Sequence, residues 1–124
     1  MKKKPLVSVI MNCYNGERYL KNSIQSVLNQ DYKNWELIFW DNKSQDGSKK
    51  IFNGFKDKRL KYYRAKKFTN LYAARNLAIK KAKGDILTFL DVDDLWLSEK
   101  LSKQVFFFEK NKKAELVYSN YFNL

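Results

Sequence analysis

The sequence has no histidine, one cysteine, one proline and four glycines in 124 residues. With no histidine and only Cys13, it lacks the side chains for a zinc site or for a Ser-His-Asp or Cys-His triad. Cys13 has no partner for an internal disulfide, which excludes a secreted disulfide scaffold and favours a reducing compartment. Acids are scarce as well, with 13 Asp plus Glu against 25 Lys plus Arg. No apolar run approaches the ~18 residues of a transmembrane helix. The basic N-terminus leads into Leu6-Val7-Ser8-Val9-Ile10-Met11, too short and too quickly polar for a signal peptide. A cytoplasmic location is the expectation.

What is present points to a folded chain. Apolar residues make up 44% and aromatics 16% of the sequence, enough for one hydrophobic core at this length. The formal charge of +12 admits nucleic acid, an anionic membrane surface or a phosphorylated substrate as partner. The lysines are dispersed, however, and only Lys2-Lys3-Lys4 forms a run, read as a solvated tail. No repeat, low-complexity segment or internal linker interrupts the chain, so one domain over residues 1–124 is expected.

The patterning alternates between strand and helix. Leu6 to Met11 reads as a strand ended by Asn12-Cys13-Tyr14-Asn15-Gly16, with Asn15 capping a helix that carries Leu20, Ile24, Val27 and Leu28. Trp35 to Trp40 reads as a second strand ending at Asp41-Asn42-Lys43-Ser44. Asp46-Gly47-Ser48 then leads into a helix through Ile51, Phe52 and Phe55. Leu60 to Arg64 is a shorter third strand near an edge, and residues 70–82 repeat at helical spacing up to a stop at Gly84. Ile86 to Leu90 is the fourth strand, Ser98 opens a helix with Leu101, Val105 and Phe108, and Leu116-Val117-Tyr118 begins a fifth strand. Such alternation predicts a three-layer α/β/α fold around a mainly parallel, Rossmann-like sheet with right-handed crossovers.

In such a sheet the carboxyl ends of strands one, two and four line one rim, where open α/β sheets place their ligands. That rim gathers Asn12 to Asn15, Asp41 to Ser44, and Asp91-Val92-Asp93-Asp94. Strand alternation sends Asp91 and Asp93 to one side and Asp94 to the other, as far as the strand geometry lasts. Grouped hard oxygen ligands suit Mg²⁺ or Mn²⁺ together with substrate phosphates; the plainer alternative is a polar turn with Asp93 or Asp94 capping the next helix.

Read together, Val7-Ser8-Val9-Ile10-Met11-Asn12-Cys13-Tyr14-Asn15-Gly16, Ser26 to Gln30, Trp35 to Ser48, Ala74-Arg75-Asn76 through Asp85, and Phe89 to Asp94 resemble family 2 glycosyltransferases. The likeness runs in register from about Leu6 to Tyr118. It implies the GT-A fold and an inverting, hexosyltransferase-like transfer from a nucleotide-diphosphate sugar, a UDP-sugar being favoured. The acceptor implied is a glycan or a lipid-linked saccharide of cell-surface polysaccharide synthesis. Within it, Tyr14 offers a ring face to the base and Asn12 bonds the base edge. Asp41 with Asn42 contacts base or ribose, and Arg75 pairs with the diphosphate. Asp91 and Asp93 form the DxD motif that holds ribose and metal, with Asp94 beside them in the donor site. The metal, Mn²⁺ or Mg²⁺, neutralises charge on the leaving diphosphate.

The chain departs from the family in two places and leaves one role without a residue. Asn12 stands where Pro or Thr is common, and Asn42 where a second acid often contacts the base. The family's catalytic base and acceptor-binding half lie further along, so the base is expected beyond Leu124 and the chain reads as the donor-binding N-terminal half. A module that binds donor without transfer is the nearest alternative, and a nucleic-acid-binding domain, needing no metal, the more distant one. Plainer roles for single residues are a loop aromatic for Tyr14, a surface residue for Arg75, a helix cap for Asp46 and a small buried hydrophobe for Cys13. Trp40 and Phe106-Phe107-Phe108 read as core or interface. One side of that Phe run leaves a homodimer open, and the acceptor class leaves peripheral attachment to the inner face of the plasma membrane open.

Overall fold

The computed structural model describes residues 3–123, so Lys2 of the basic run lies outside the described residues, while Lys3 and Lys4 are exposed. The sheet consists of β1 (Val7–Cys13), β2 (Trp35–Asp41), β3 (Leu60–Arg64) and β4 (Ile86–Phe89). The helices are α1 (Glu17–Leu28), α2 (Ser48–Asn53), α3 (Leu71–Ile79) and α4 (Lys100–Lys110). All strand pairings are parallel, in the order β3-β2-β1-β4. β3 therefore lies at an edge, as its charged sequence predicts.

β1 and β2 are central and covered on both faces, which is why they read as nearly unbroken apolar runs. Their alternate residues feed two cores. Val7, Val9, Met11, Cys13, Leu37 and Phe39 pack with Leu20, Ile24 and Val27 of α1, Phe52 of α2, and Leu101 and Val105 of α4. Ile10, Ile38 and Trp40 face the other way, onto Ala74 and Ala78 of α3. Small residues on α3 let that helix lie close to the sheet. Buried Glu36 locks the amino-terminal side, accepting from Ser8 Oγ at 2.7 Å, Lys83 N at 2.7 Å and Lys61 Nζ at 2.9 Å.

Several ends fall elsewhere than patterning predicts. Leu116 to Tyr118 forms no strand; Leu116 and Tyr118 are exposed, and no strand among the described residues pairs with them. Gly84 is not the stop of α3, whose cap is Lys80. A Cβ at Gly84 would lie 2.6 Å from Ser8 Oγ and 2.7 Å from Leu6 O, so glycine there permits close approach to β1. α1 is capped by Gly16 rather than Asn15, and α4 begins at Lys100 after Glu99 rather than at Ser98. No helix among the described residues is long and apolar enough to cross a membrane.

Candidate functional site

The acidic turn is placed by contacts on both sides. Leu90 is buried and its N–H donates to Ile10 O at 3.0 Å, extending the sheet by one bond past β4. Val92 packs into the first core and Ser23 Oγ donates to Asp91 O at 3.3 Å, tying the turn to α1. Further on, Gln30 Nε2 donates to Leu97 O at 2.7 Å and its Oε1 accepts from Leu101 N at 3.0 Å.

Because β4 stops at Phe89, the predicted split of Asp91 and Asp93 from Asp94 does not occur. The chain instead turns, with Asp94 N–H donating to Asp91 O at 3.0 Å. Carboxylate oxygens of Asp91, Asp93 and Asp94 all lie within 4.8 Å of one another, and all three residues are exposed. Burial, then the charges of Asp93 and Asp91, hold the Asp94 carboxyl above its ordinary value. Arg75 of α3 reaches this cluster, with Nη2 donating to Asp91 Oδ1 at 2.9 Å and the guanidinium 5.9 Å from the Phe89 ring centroid. A close set of hard oxygen donors fits a divalent cation such as Mg²⁺ or Mn²⁺.

The other rim residues divide into free and engaged. Tyr14 is half exposed and meets Phe68 edge-on, with ring centroids 4.9 Å apart. Asn12 Nδ2 is buried and finds no acceptor among the described residues, leaving a donor unsatisfied beside the Tyr14 loop. Asp41, by contrast, is 0% exposed. It accepts from Ser44 N at 2.7 Å, from Arg64 Nη1 at 2.7 Å and from the Tyr62 hydroxyl in a short bond. Burial first, then this bond to Asp41, pushes the Tyr62 hydroxyl up to about 12. Asn42 is also buried; its Nδ2 donates to Thr69 O at 2.7 Å and its Oδ1 accepts from Thr69 N at 3.2 Å.

The first two rim loops are stitched together. Asn15 N donates to Ser44 Oγ at 2.9 Å, Gln45 N to Asn15 Oδ1 at 2.8 Å, and Gly16 N to Ser48 Oγ at 3.0 Å. Glu17 N donates to Asp46 Oδ2 at 3.0 Å, while Gly47 N donates to Glu17 Oε2 at 2.7 Å. Asp46 also accepts from Ser48 N at 2.9 Å, so it serves the amino ends of both α1 and α2. Asn15 and Lys43 hold φ of 53° and 70°, a left-handed conformation that other residues besides glycine and asparagine seldom adopt. Cys13 is buried beneath this clasp, and burial pushes its thiol up. Ser44, Ser48, Tyr62, Arg64 and Phe68 carry this architecture; the sequence places Ser44 on the rim and Ser48 at a helix start, but gives neither their bonds nor any role for Tyr62, Arg64 and Phe68. Of the last three only Phe68 gives a signal, an aromatic in the polar stretch Lys66-Lys67-Phe68-Thr69-Asn70.

This topology is that of GT-A glycosyltransferases. The structure is similar to residues 1–349 of TarS from S. aureus, with a TM-score of 0.81 and 28% identity over 86% of this chain and 33% of that one. TarS has also been solved with UDP and with UDP-GlcNAc. A mannosyltransferase of Pyrobaculum calidifontis, solved with GDP-Man and Mn²⁺, matches with a TM-score of 0.69 and 26% identity over 76% of this chain and 29% of that one. The family model "Glycosyl transferase family 2" matches residues 8–123, and the chain belongs to that family. Among relatives, an uncharacterized glycosyltransferase of Haemophilus influenzae is 44% identical over 94% of this chain and 47% of its own length. The Escherichia coli UDP-Glc:alpha-D-GlcNAc-diphosphoundecaprenol beta-1,3-glucosyltransferase WfgD is 42% identical over 94% of this chain and 46% of its own length. The chain thus spans about half the length of the curated relatives it matches.

Proposed function

We propose that this chain is the donor-binding half of an inverting glycosyltransferase that takes a nucleotide-diphosphate sugar, a UDP-sugar by preference, with Mn²⁺ or Mg²⁺. The observation that carries the reading is the convergence of Asp91, Asp93 and Asp94 within 4.8 Å, beside Arg75, at the carboxyl rim of a parallel sheet. Asp91 and Asp93 would hold the cation, with Asp94 next to them. When bound, the cation supplies Lewis-acid stabilisation of charge on the leaving diphosphate. Arg75 would pair with the same diphosphate, since a guanidinium fork can bridge carboxylate and phosphate oxygens together.

The base would lie against Tyr14, with the unsatisfied Asn12 donor at its edge. Asp41 and Asn42 are assigned to the base or ribose side. Both are buried and already bond Ser44, Tyr62, Arg64 and Thr69, so direct contact with donor would draw on the acceptor capacity left on Asp41 Oδ1 or the second Asn42 Nδ2 proton and would need them uncovered. The acceptor class, a polysaccharide or lipid-linked saccharide, is supported by the acceptors named for the Escherichia coli relatives. Such acceptors would set the protein to work peripherally at the inner face of the plasma membrane. The base that deprotonates the attacking hydroxyl is assigned to no residue of this chain.

Calorimetric titration of UDP with and without Mn²⁺, on wild type and Asp93→Ala, tests the reading. Metal-dependent binding that weakens at least tenfold in Asp93→Ala is expected. Failure of both UDP and GDP to bind in the presence of metal would sink it. Donor binding without sugar transfer to supplied acceptors would favour the module that binds only.

A further inference from the structure

We infer that Phe68 is a second aromatic wall of the nucleobase site, forming a corner with Tyr14 that selects a planar base; this rests on the donor-site reading above. Tyr14 follows β1 and Phe68 lies in the loop between β3 and α3, yet their ring centroids are 4.9 Å apart at an interplanar angle of 63°. Neither ring takes part in the two cores: Tyr14 is 52% and Phe68 58% exposed. Two large aromatic rings thus stand together in water at the rim, leaving apolar area that a ligand can cover. The 63° angle makes an L-shaped corner, in which a flat heterocycle lies on one ring face and meets the other ring at its edge.

Both walls are fixed from behind. The Tyr14 loop is held by the Asn15 bonds to Ser44 and Gln45, and Phe68 is followed by Thr69, clamped on both sides of its backbone by Asn42. Asn70 then caps α3, its Oδ1 accepting from Ala73 N at 2.9 Å. The helix so anchored is the one that carries Arg75 to the acidic turn. A base in the corner and a diphosphate near Arg75 would therefore be gripped by the two ends of one braced segment. Asn12, with its unsatisfied Nδ2, lies two residues before Tyr14 and suits a base that presents a carbonyl.

The test is calorimetry with UDP, uridine and pyrophosphate in Mg²⁺, on wild type, Phe68→Ala and Phe68→Trp. Stacking on one aromatic side chain is worth about fivefold in affinity at the low end of its range. Phe68→Ala is expected to weaken UDP and uridine by about fivefold or more and to leave pyrophosphate unchanged, while Phe68→Trp retains UDP. Because Phe68 lies outside both cores, both variants should fold. Equal UDP affinity in wild type and Phe68→Ala overturns the inference and leaves the donor site standing. A parallel loss for all three ligands also overturns it, marking Phe68 as a loop brace. Absence of UDP binding to wild type overturns the donor-site reading and this inference with it.

Discussion

Asp41 is where a structural and a ligand-binding role separate most sharply. The isosteric change Asp41→Asn keeps one acceptor oxygen and replaces the other with an amide donor. Two of the donors now satisfied, Ser44 N–H and the Tyr62 hydroxyl, are buried or half-buried, and one of them loses its acceptor. Leaving such a donor unsatisfied costs about 1–3 kcal/mol. Arg64 also loses its ion pair, but its side chain is 37% exposed and water can replace the carboxylate, so that loss is not counted. A destabilisation of about 2 kcal/mol follows, which at this chain length lowers the melting temperature by roughly 8 °C. The Tyr62 hydroxyl, now at about 12, should titrate closer to its ordinary value of 10.0 because the charge of Asp41 is gone whichever way the amide turns, with the burial contribution remaining. Thermal unfolding followed by circular dichroism and NMR titration of the tyrosine ring carbons would measure both. A variant with unchanged melting temperature and unchanged Tyr62, but with UDP affinity lost, would refute the structural argument and put Asp41 directly on the nucleotide.

Other consequences can be measured separately. Burial pushes Glu36 up, but the bonds from Lys61, Ser8 and the Lys83 N–H outweigh it and hold the carboxyl below its ordinary value. A depressed folded-state pKa contributes stability that is present above the unfolded value and lost as pH falls through the folded one. Urea unfolding below the ordinary value of 4.5 should therefore show a decline in wild type that is shallower in Glu36→Gln. Asn15→Ala places an alanine at φ 53° and should be less stable than Asn15→Gly by about 1–2 kcal/mol, although both lose the bond to Gln45. Equal melting temperatures for the two would count against strain at that residue. Arg75→Lys keeps the charge but loses the planar fork, and should weaken UDP by about tenfold while leaving the fold intact.

Much of the fold can be read along the chain because β1 and β2 are buried on both faces and spell that burial out as apolar runs. β3 announces its edge position through Lys61 and Arg64. The acidic turn is equally plain, since three carboxylates in four residues stand out in a basic chain. Its geometry is not plain. Alternation assumes a strand through Leu90, but pairing with β1 ends at Ile10 and Phe89, and the turn that follows gathers all three acids. Leu116-Val117-Tyr118 fails as a strand for the complementary reason: local β propensity needs a neighbour to pair with. Ser44 against Asn15 and Phe68 against Tyr14 were hidden because nothing local in a sequence records contacts between separate loops. Asp41 shows the same limit, its position being legible and its inward bonds not.

A nucleotide diphosphate and its cation are proposed to occupy the carboxyl rim. Amide NMR spectra of the chain titrated with UDP in Mg²⁺ test this proposal by location. Perturbations are expected to concentrate at residues 12–15, 41–44, 68–75 and 91–94, with those at 91–94 lost in Asp93→Ala. Perturbations confined to the lysine-rich surface of α2, unaffected by Mg²⁺ or by Asp93→Ala, would contradict it.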